Sequence, residues 1–217
     1  MASVPDICNL ALGHLGDSAQ VASISPADGS AQAAHCQRLY PIARDTVLEK
    51  FTWSCATVRV AAAEITNSLA SWAYAYALPA NCIRLVSVLP QTATDDAATE
   101  PFIVEQDGSG NGIVYCNIKN ATFRHIVRVT DTTKYSAAMV LTISYLLASF
   151  LAGPVLKGKV GVQASSSMMS LFKDALGQAE ELDANQSRTT TIRDYQPLHL
   201  LDRTTPSQGS TRTGFCR

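Results

Sequence analysis

From Ala137 to Ala152 the chain reads AAMVLTISYLLASFLA, with no charged residue, and Gly153-Pro154 follows at once. A helix from Ser136 to Ala152 would hold 17 residues and span about 25 Å at ~1.5 Å per residue. A hydrocarbon core of about 30 Å asks for roughly 20 residues. The run is short for that and carries Thr142, Ser144, Tyr145 and Ser149. It therefore reads as the buried helix of a folded core, and membrane insertion is not expected. The rest of the chain has to supply the faces that cover it.

Two helix-start signals precede it. Ser3-Val4-Pro5-Asp6 combines a Ser cap, a Pro in the first turn and an acid three residues past the cap. Ile7, Leu10, Ala11 and Leu15 then recur at helical spacing, and Gly16 is a natural stop. Ser25-Pro26-Ala27-Asp28 repeats the signal, and a helix is expected from about Ser30 toward Phe51. Ala33, Cys36, Tyr40, Ala43, Val47 and Phe51 would share its apolar face, with Arg38, Asp45 and Glu49 on the polar side. Pro41 sits inside that run and removes a backbone donor, so a kink near Gln37 or a split into two helices is expected.

From Trp72 the period changes to two. Tyr74–Leu78, Arg84–Leu89, Phe102–Glu105, Ile113–Cys116 and Phe123–Val129 read as strands of one small sheet over residues 74–130. The middle pair brackets DGSGNG (Asp107–Gly112), a hairpin loop, and a polar loop is expected at Thr92–Glu100. Ser165–Asp183 is amphipathic at helical spacing through Met168, Leu171, Phe172, Ala175, Leu176, Ala179 and Leu182. Beyond Ala184, Ser, Thr, Gln, Arg and Pro dominate, a composition that builds no core of its own.

The expected fold class is α+β: an antiparallel-type helical bundle with an inserted small β-sheet and an extended C-terminal tail. Residues 1–72 would be the N-terminal helices, 73–131 the β-rich insertion, 132–183 the C-terminal helices and 184–217 the tail.

Charge narrows the functions. Only 16% of the 217 residues are charged against 47% hydrophobic, below the usual quarter for soluble domains. A surface so poor in charge is expected to be covered partly by copies of itself or by partners. Residues 1–183 carry a net −4 and the tail +3. A basic stripe with interleaved aromatics is missing from the body, which argues against specific DNA reading. The six cysteines (8, 36, 55, 82, 116, 216) have no CxxC or paired-His spacing. No basic-then-apolar leader opens the sequence, so they read as reduced and mostly buried, without metal.

Candidate chemistry is thin. Gly153–Val160 (GPVLKGKV) approximates a phosphate-binding loop, but Val160 stands where Ser or Thr would hold magnesium and the loop follows a helix. Glu64, Glu100, Glu105 and Asp107 could serve a glycan or peptidoglycan hydrolase only as a pair about 5–10 Å apart. His14, His35, His125 and His199 are scattered and no G-x-S-x-G occurs. No catalytic, cofactor or metal residue is expected.

The order of segments carries more. ICNLALGHLGD (Ile7–Asp17), YPIARDTVLEKFTWSCATVR (Tyr40–Arg59) and YAYALPANCIRLVSV (Tyr74–Val88) resemble the signature of the head-to-tail adaptor family of short-tailed bacteriophages, also called tail tubular protein A. VTDTTKYSAAM (Val129–Met139), LLASFLAGPV (Leu146–Val155) and DALGQAEELDANQ (Asp174–Gln186) resemble its later helices. Ser54-Cys55 departs from the usual Asn-Phe after the Trp, and Asn81 from the usual Asp after Leu-Pro.

The resemblance implies a non-enzymatic virion protein of the phage neck, assembled in the bacterial host cytoplasm without cofactors. It implies a homo-oligomeric, dodecameric ring under the portal protein that continues the channel for double-stranded DNA without reading its sequence. The ring would attach the tail nozzle and the tail fibres or spikes. Within that reading Arg188, Arg193, Tyr195, Leu198, Leu200 and Leu201 are expected to bind the portal, and Arg44, Asp45 and Glu49 to contact neighbouring subunits. A virion-associated hydrolase is the alternative.

Overall fold

The computed structural model describes residues 2–93, 96 and 98–186. They form four α-helices and two small antiparallel sheets.

Serine caps set the first three helices. Ser3 opens α1 (Val4–His14), its Oγ accepting the Asp6 N–H while the Asp6 carboxylate accepts the Ser3 N–H at 2.8 Å. Ser30 opens α2 (Ala31–Lys50), accepting from the Ala33 N–H at 3.1 Å. Ser136 opens α3 (Ala137–Leu156), accepting from the Met139 N–H at 3.1 Å. Each cap satisfies one amide that a helix start leaves unpaired, worth about 1 kcal/mol.

Pro41 does not divide α2, which runs as one element of 20 residues. Its ring removes the bond to the Gln37 carbonyl. The same face buries Ala33, Cys36 and Tyr40 before it and Ala43, Val47 and Leu48 after it. At about 1.5–3 kcal/mol for each large apolar side chain, that burial outweighs the missing bond.

The largest difference from expectation lies at the α3–α4 junction. α3 continues through Gly153-Pro154 to Leu156, and α4 (Gly158–Ala184) begins one residue later. The reversal is made by Lys157 and Gly158 in succession, at φ 54° and 56°. Pro154 falls in the last turn, where loss of one intrahelical bond is tolerated, and the Lys157 N–H donates back to the Gly153 carbonyl at 3.1 Å. Gly161 then lets the helices approach: a Cβ there would lie 2.8 Å from the Ala152 carbonyl oxygen.

α1, α2 and α4 all pack on α3, which buries Met139, Ile143, Leu146, Leu147, Leu151 and Ala152 among them. By length and composition α3 could cross a membrane, but 56% of its most apolar window is buried inside the fold. Its polar residues bond locally: Thr142 donates to the Ala138 carbonyl at 2.8 Å, and Ser149 to that of Leu146 at 2.7 Å. A serine on α4 fastens the pair, the Ser165 hydroxyl donating to the Ser149 carbonyl at 2.8 Å.

The β region starts earlier than Trp72 and divides in two. β1 (Thr57–Ala61) and β2 (Ala63–Ile65) lie inside the stretch expected to be helical, followed by β3 (Tyr74–Ala77), β4 (Cys82–Pro90), β5 (Phe102–Gln106), β6 (Gly112–Cys116) and β7 (Ala121–Val127). The sheets have orders β1-β7-β4 and β2-β3-β6-β5, antiparallel throughout. β1 shows little alternation because four of its five residues are exposed, so its pairing with β7 defines it. The Asp107 loop closes β5 on β6 as expected, with the Asp107 carboxylate accepting the Ser109 and Asn111 amides at 2.8 Å.

Residues from both sheets build a second core of Tyr76, Val88, Val114, Cys116, Ala121 and Phe123. Tyr76 meets Phe123 edge to face, centroids 5.9 Å apart at 81°, the geometry that aromatic quadrupoles favour.

Candidate functional site

α2 presents Arg44 and Asp45 one turn after Pro41, at the start of its second half. Arg44 is only 9% exposed, so it does not stand on the solvated face that its charge suggests. Its Nε donates to Asp45 Oδ1 at 2.8 Å. The other Asp45 oxygen accepts from Arg128 Nε at 3.0 Å, 83 residues away. One carboxylate thus holds two guanidinium groups. Glu49, a turn further on, is exposed and has no hydrogen bond or ion pair among the described residues.

Beside Arg44 a cleft of about 530 Å³ opens between α1, the 23–25 segment and α2. Val4, Pro5, Ser23, Ile24 and Ser25 form one wall, Gln37, Tyr40, Pro41 and Arg44 the other, and Thr130 closes an end. Tyr40 is 3% exposed, and its hydroxyl makes no hydrogen bond of sound geometry among the described residues. It lies near the hydroxyl of Tyr135, which donates to the Val129 carbonyl at 2.5 Å. A buried hydroxyl left in that condition costs about 1–3 kcal/mol. Burial pushes the Tyr40 phenol above its ordinary pKa, the Arg44 charge opposing, so Tyr40 is a neutral donor at physiological pH.

A second junction joins the end of α2 to the end of α4. Trp53 is buried and donates its indole N–H to the Val47 carbonyl at 2.8 Å. Ser54 next to it donates its amide and hydroxyl to Asp183 at 2.8 and 2.6 Å. Phe51 sits edge-on to Trp53 at 5.2 Å.

The other candidates take structural places. His14 stacks on Tyr145, centroids 4.4 Å apart, with Nε2 3.1 Å from the Ser144 hydroxyl. His35 meets the guanidinium of Arg38 at 2.8 Å. His125 lies inside the β1-β7-β4 sheet, 2% exposed, its Nδ1 unpartnered. Asp107 is occupied by its own turn, and Glu64 and Glu105 are exposed on β2 and β5. Lys157 lies in the helix-to-helix reversal and Lys159 in the first turn of α4, so the strand that a phosphate-binding loop follows is replaced by α3.

The five cysteines among the described residues are free. Among the described residues no group of three or more His, Cys, Asp or Glu could hold a metal ion. Arg188, Arg193, Tyr195, Leu198, Leu200, Leu201, His199 and Cys216 lie outside the described residues.

The sequence reading missed the Tyr40–Arg44 cleft and the Ser54–Asp183 junction. Tyr-Pro-x-x-Arg-Asp was visible, but the partners come from Val4, Ile24, Arg128 and Thr130, which no local pattern connects to it. No protein-family model matches the chain, and no curated protein matches it.

Proposed function

We propose that the chain is a structural head-to-tail adaptor of a short-tailed bacteriophage. Its copies form a dodecameric ring under the portal, continue the DNA channel and carry the nozzle and the fibres or spikes. In this reading the helices are an antiparallel bundle, the sheets are its insertion, and residues 184–217 are an extended tail that docks on the portal.

The observation that carries it is the set of exposed apolar side chains on α4. Val160, Val162, Leu171 and Leu182 are 64%, 73%, 42% and 59% exposed on one helix. A chain this poor in charge, with that many apolar side chains on one element, is suited to burial against further copies. The segments that resemble the family support it in order: they fall on α1, α2, β3 with β4, α3 and α4. Glu49, exposed beside the Arg44–Asp45 pair, remains a subunit contact in this proposal, whereas Arg44 acts within its own chain.

Native mass spectrometry of the protein, alone and mixed with the portal ring of the same phage, tests it. Addition of about twelve copies to the portal is the expected result. Absence of any complex at micromolar concentrations would refute it. Removing Ala184–Arg217 should abolish attachment and leave a folded body.

A further inference from the structure

We propose that the cleft between α1 and α2 binds a carboxylate, with Arg44 as its ion-pairing group and Tyr40 as a neutral donor. The inference is independent of the assembly reading.

Three observations converge on it. Arg44 is nearly buried, and Asp45 occupies only its Nε. The two terminal nitrogens, four N–H donors in a planar fork, make no hydrogen bond among the described residues, and such a fork fits a carboxylate with two parallel bonds. Tyr40, 97% buried beside it, has a hydroxyl that lies by that of Tyr135 yet makes no hydrogen bond of sound geometry among the described residues, which leaves its proton free to donate.

Charge selects the class of anion. Asp45 is shared between Arg44 and Arg128, so the three groups sum to a single positive charge. A monoanion balances it, and a dianion such as phosphate exceeds it. The acids on the flanking segments are already engaged. Asp6 accepts from the Ser3 amide and hydroxyl at 2.8 and 2.7 Å, and Asp28 from the Ala22 and Ser30 amides at 2.8 and 2.9 Å.

The walls select what carries the anion. Val4, Pro5, Ile24 and Pro41 offer apolar surface along the cleft, which suits the methylenes of a short aliphatic stem. The remaining wall groups, the Gln37 amide and the Ser25 and Thr130 hydroxyls, make no side-chain hydrogen bond among the described residues. The occupant is therefore an aliphatic carboxylate, supplied by a glutamate-like side chain of a polypeptide or by a free organic acid.

The test uses the full ¹⁵N-labelled chain. Propionate and N-acetylglutamate N-methylamide are titrated separately, each against sodium chloride at matched ionic strength. The Ile24 and Ser25 amides and the Arg44 Nε–H report binding. Saturable shifts of these signals with at least one probe, unmatched by chloride, are expected. Saturation by both assigns the cleft to protein side chains, and saturation by propionate alone assigns it to small acids.

Tyr40→Phe should keep the fold and weaken binding about three- to tenfold, the worth of one hydrogen bond. Arg44→Lys, which keeps the charge and loses the fork, should weaken it further. Shifts no different from those of chloride, or unchanged binding in both variants, would overturn the assignment.

Discussion

Ser54 gives both its amide and its hydroxyl to one carboxylate, that of Asp183, at 2.8 and 2.6 Å across 129 positions of chain. An acid in the last turn of a helix opposes the helix dipole, and the two bonds offset that penalty. They also tie the exit of α4 to the exit of α2. Asp183→Ala should lower stability by about 1 kcal/mol, since the pair is exposed. Urea unfolding reads the loss, with an unchanged slope and faster exchange of the Ser54 amide; an unmoved midpoint would remove Ser54–Asp183 as a tie.

Asp45 and Arg128 should differ sharply although they share an ion pair. Asp45→Ala strips a nearly buried Arg44 of its only carboxylate among the described residues, and uncompensated buried charge costs about 3 kcal/mol. Arg128, with its side chain 54% exposed, should cost less than about 1 kcal/mol when replaced by Ala. Equal losses in chemical denaturation would mean that Arg44 finds another partner.

Gly161 and Gly177 are both inside α4, yet the same substitution should act with opposite sign. A Cβ at 161 meets the Ala152 carbonyl oxygen at 2.8 Å, whereas one at 177 meets nothing within 4 Å. Gly161→Ala should force the helices apart and cost about 1–3 kcal/mol. Gly177→Ala should stabilise by about 0.5–1 kcal/mol through helix propensity alone. Thermal unfolding of the two variants decides; a stabilised Gly161→Ala would show that α3 and α4 do not need that close approach.

Acid should weaken the fold in two stages. Burial holds the imidazoles of His125 and His14 below their ordinary 6.5. The unfolded chain therefore takes up protons first. Their neutral-state stability is complete above about pH 6.5 and is lost as pH falls from there toward the lower folded values. A second loss follows below about pH 4, as carboxyls held low by hydrogen bonds protonate. Asp28 is drawn to about 2 by its bonds to Ser30 and Ala22, and Asp6, Asp107 and Asp131 are lowered in the same way. Urea midpoints from pH 7.5 to 4.5 should fall for the native chain and fall less for His125→Leu. Parallel curves would show that His125 charges without cost.

Local signals were legible in the sequence wherever a single segment contains its own reason. The serine caps, the Asp107 turn and the buried face of α2 from Ala33 to Val47 follow from neighbours a few residues away. β1 was not legible, because Val58 and Val60 face solvent and only pairing with residues 121–127 makes them a strand. The end of α3 was misjudged because Gly153-Pro154 is a stop signal in isolation, while packing of α4 through Gly161 holds the helix to Leu156. Arg44 was expected to contact a neighbouring subunit, whereas it is nearly buried on Asp45, a carboxylate that Arg128 holds from 83 residues away. The residues expected to bind a portal protein fall in the segment outside the described range.

The central position of α3 sets the order in which the molecule can be completed. A ribosome releases α1 and α2 first, yet both find their principal neighbour in a helix that begins at residue 137. β1 likewise waits for β7, about sixty residues downstream. The first half of the chain therefore emerges with its apolar faces bare, and its folding is governed by distant loop closures that slow it and leave it open to aggregation or chaperone capture. Nascent chains stalled before Ala137 should be protease-sensitive throughout, and protection should arrive for α1 and α2 together when α3 clears the exit tunnel.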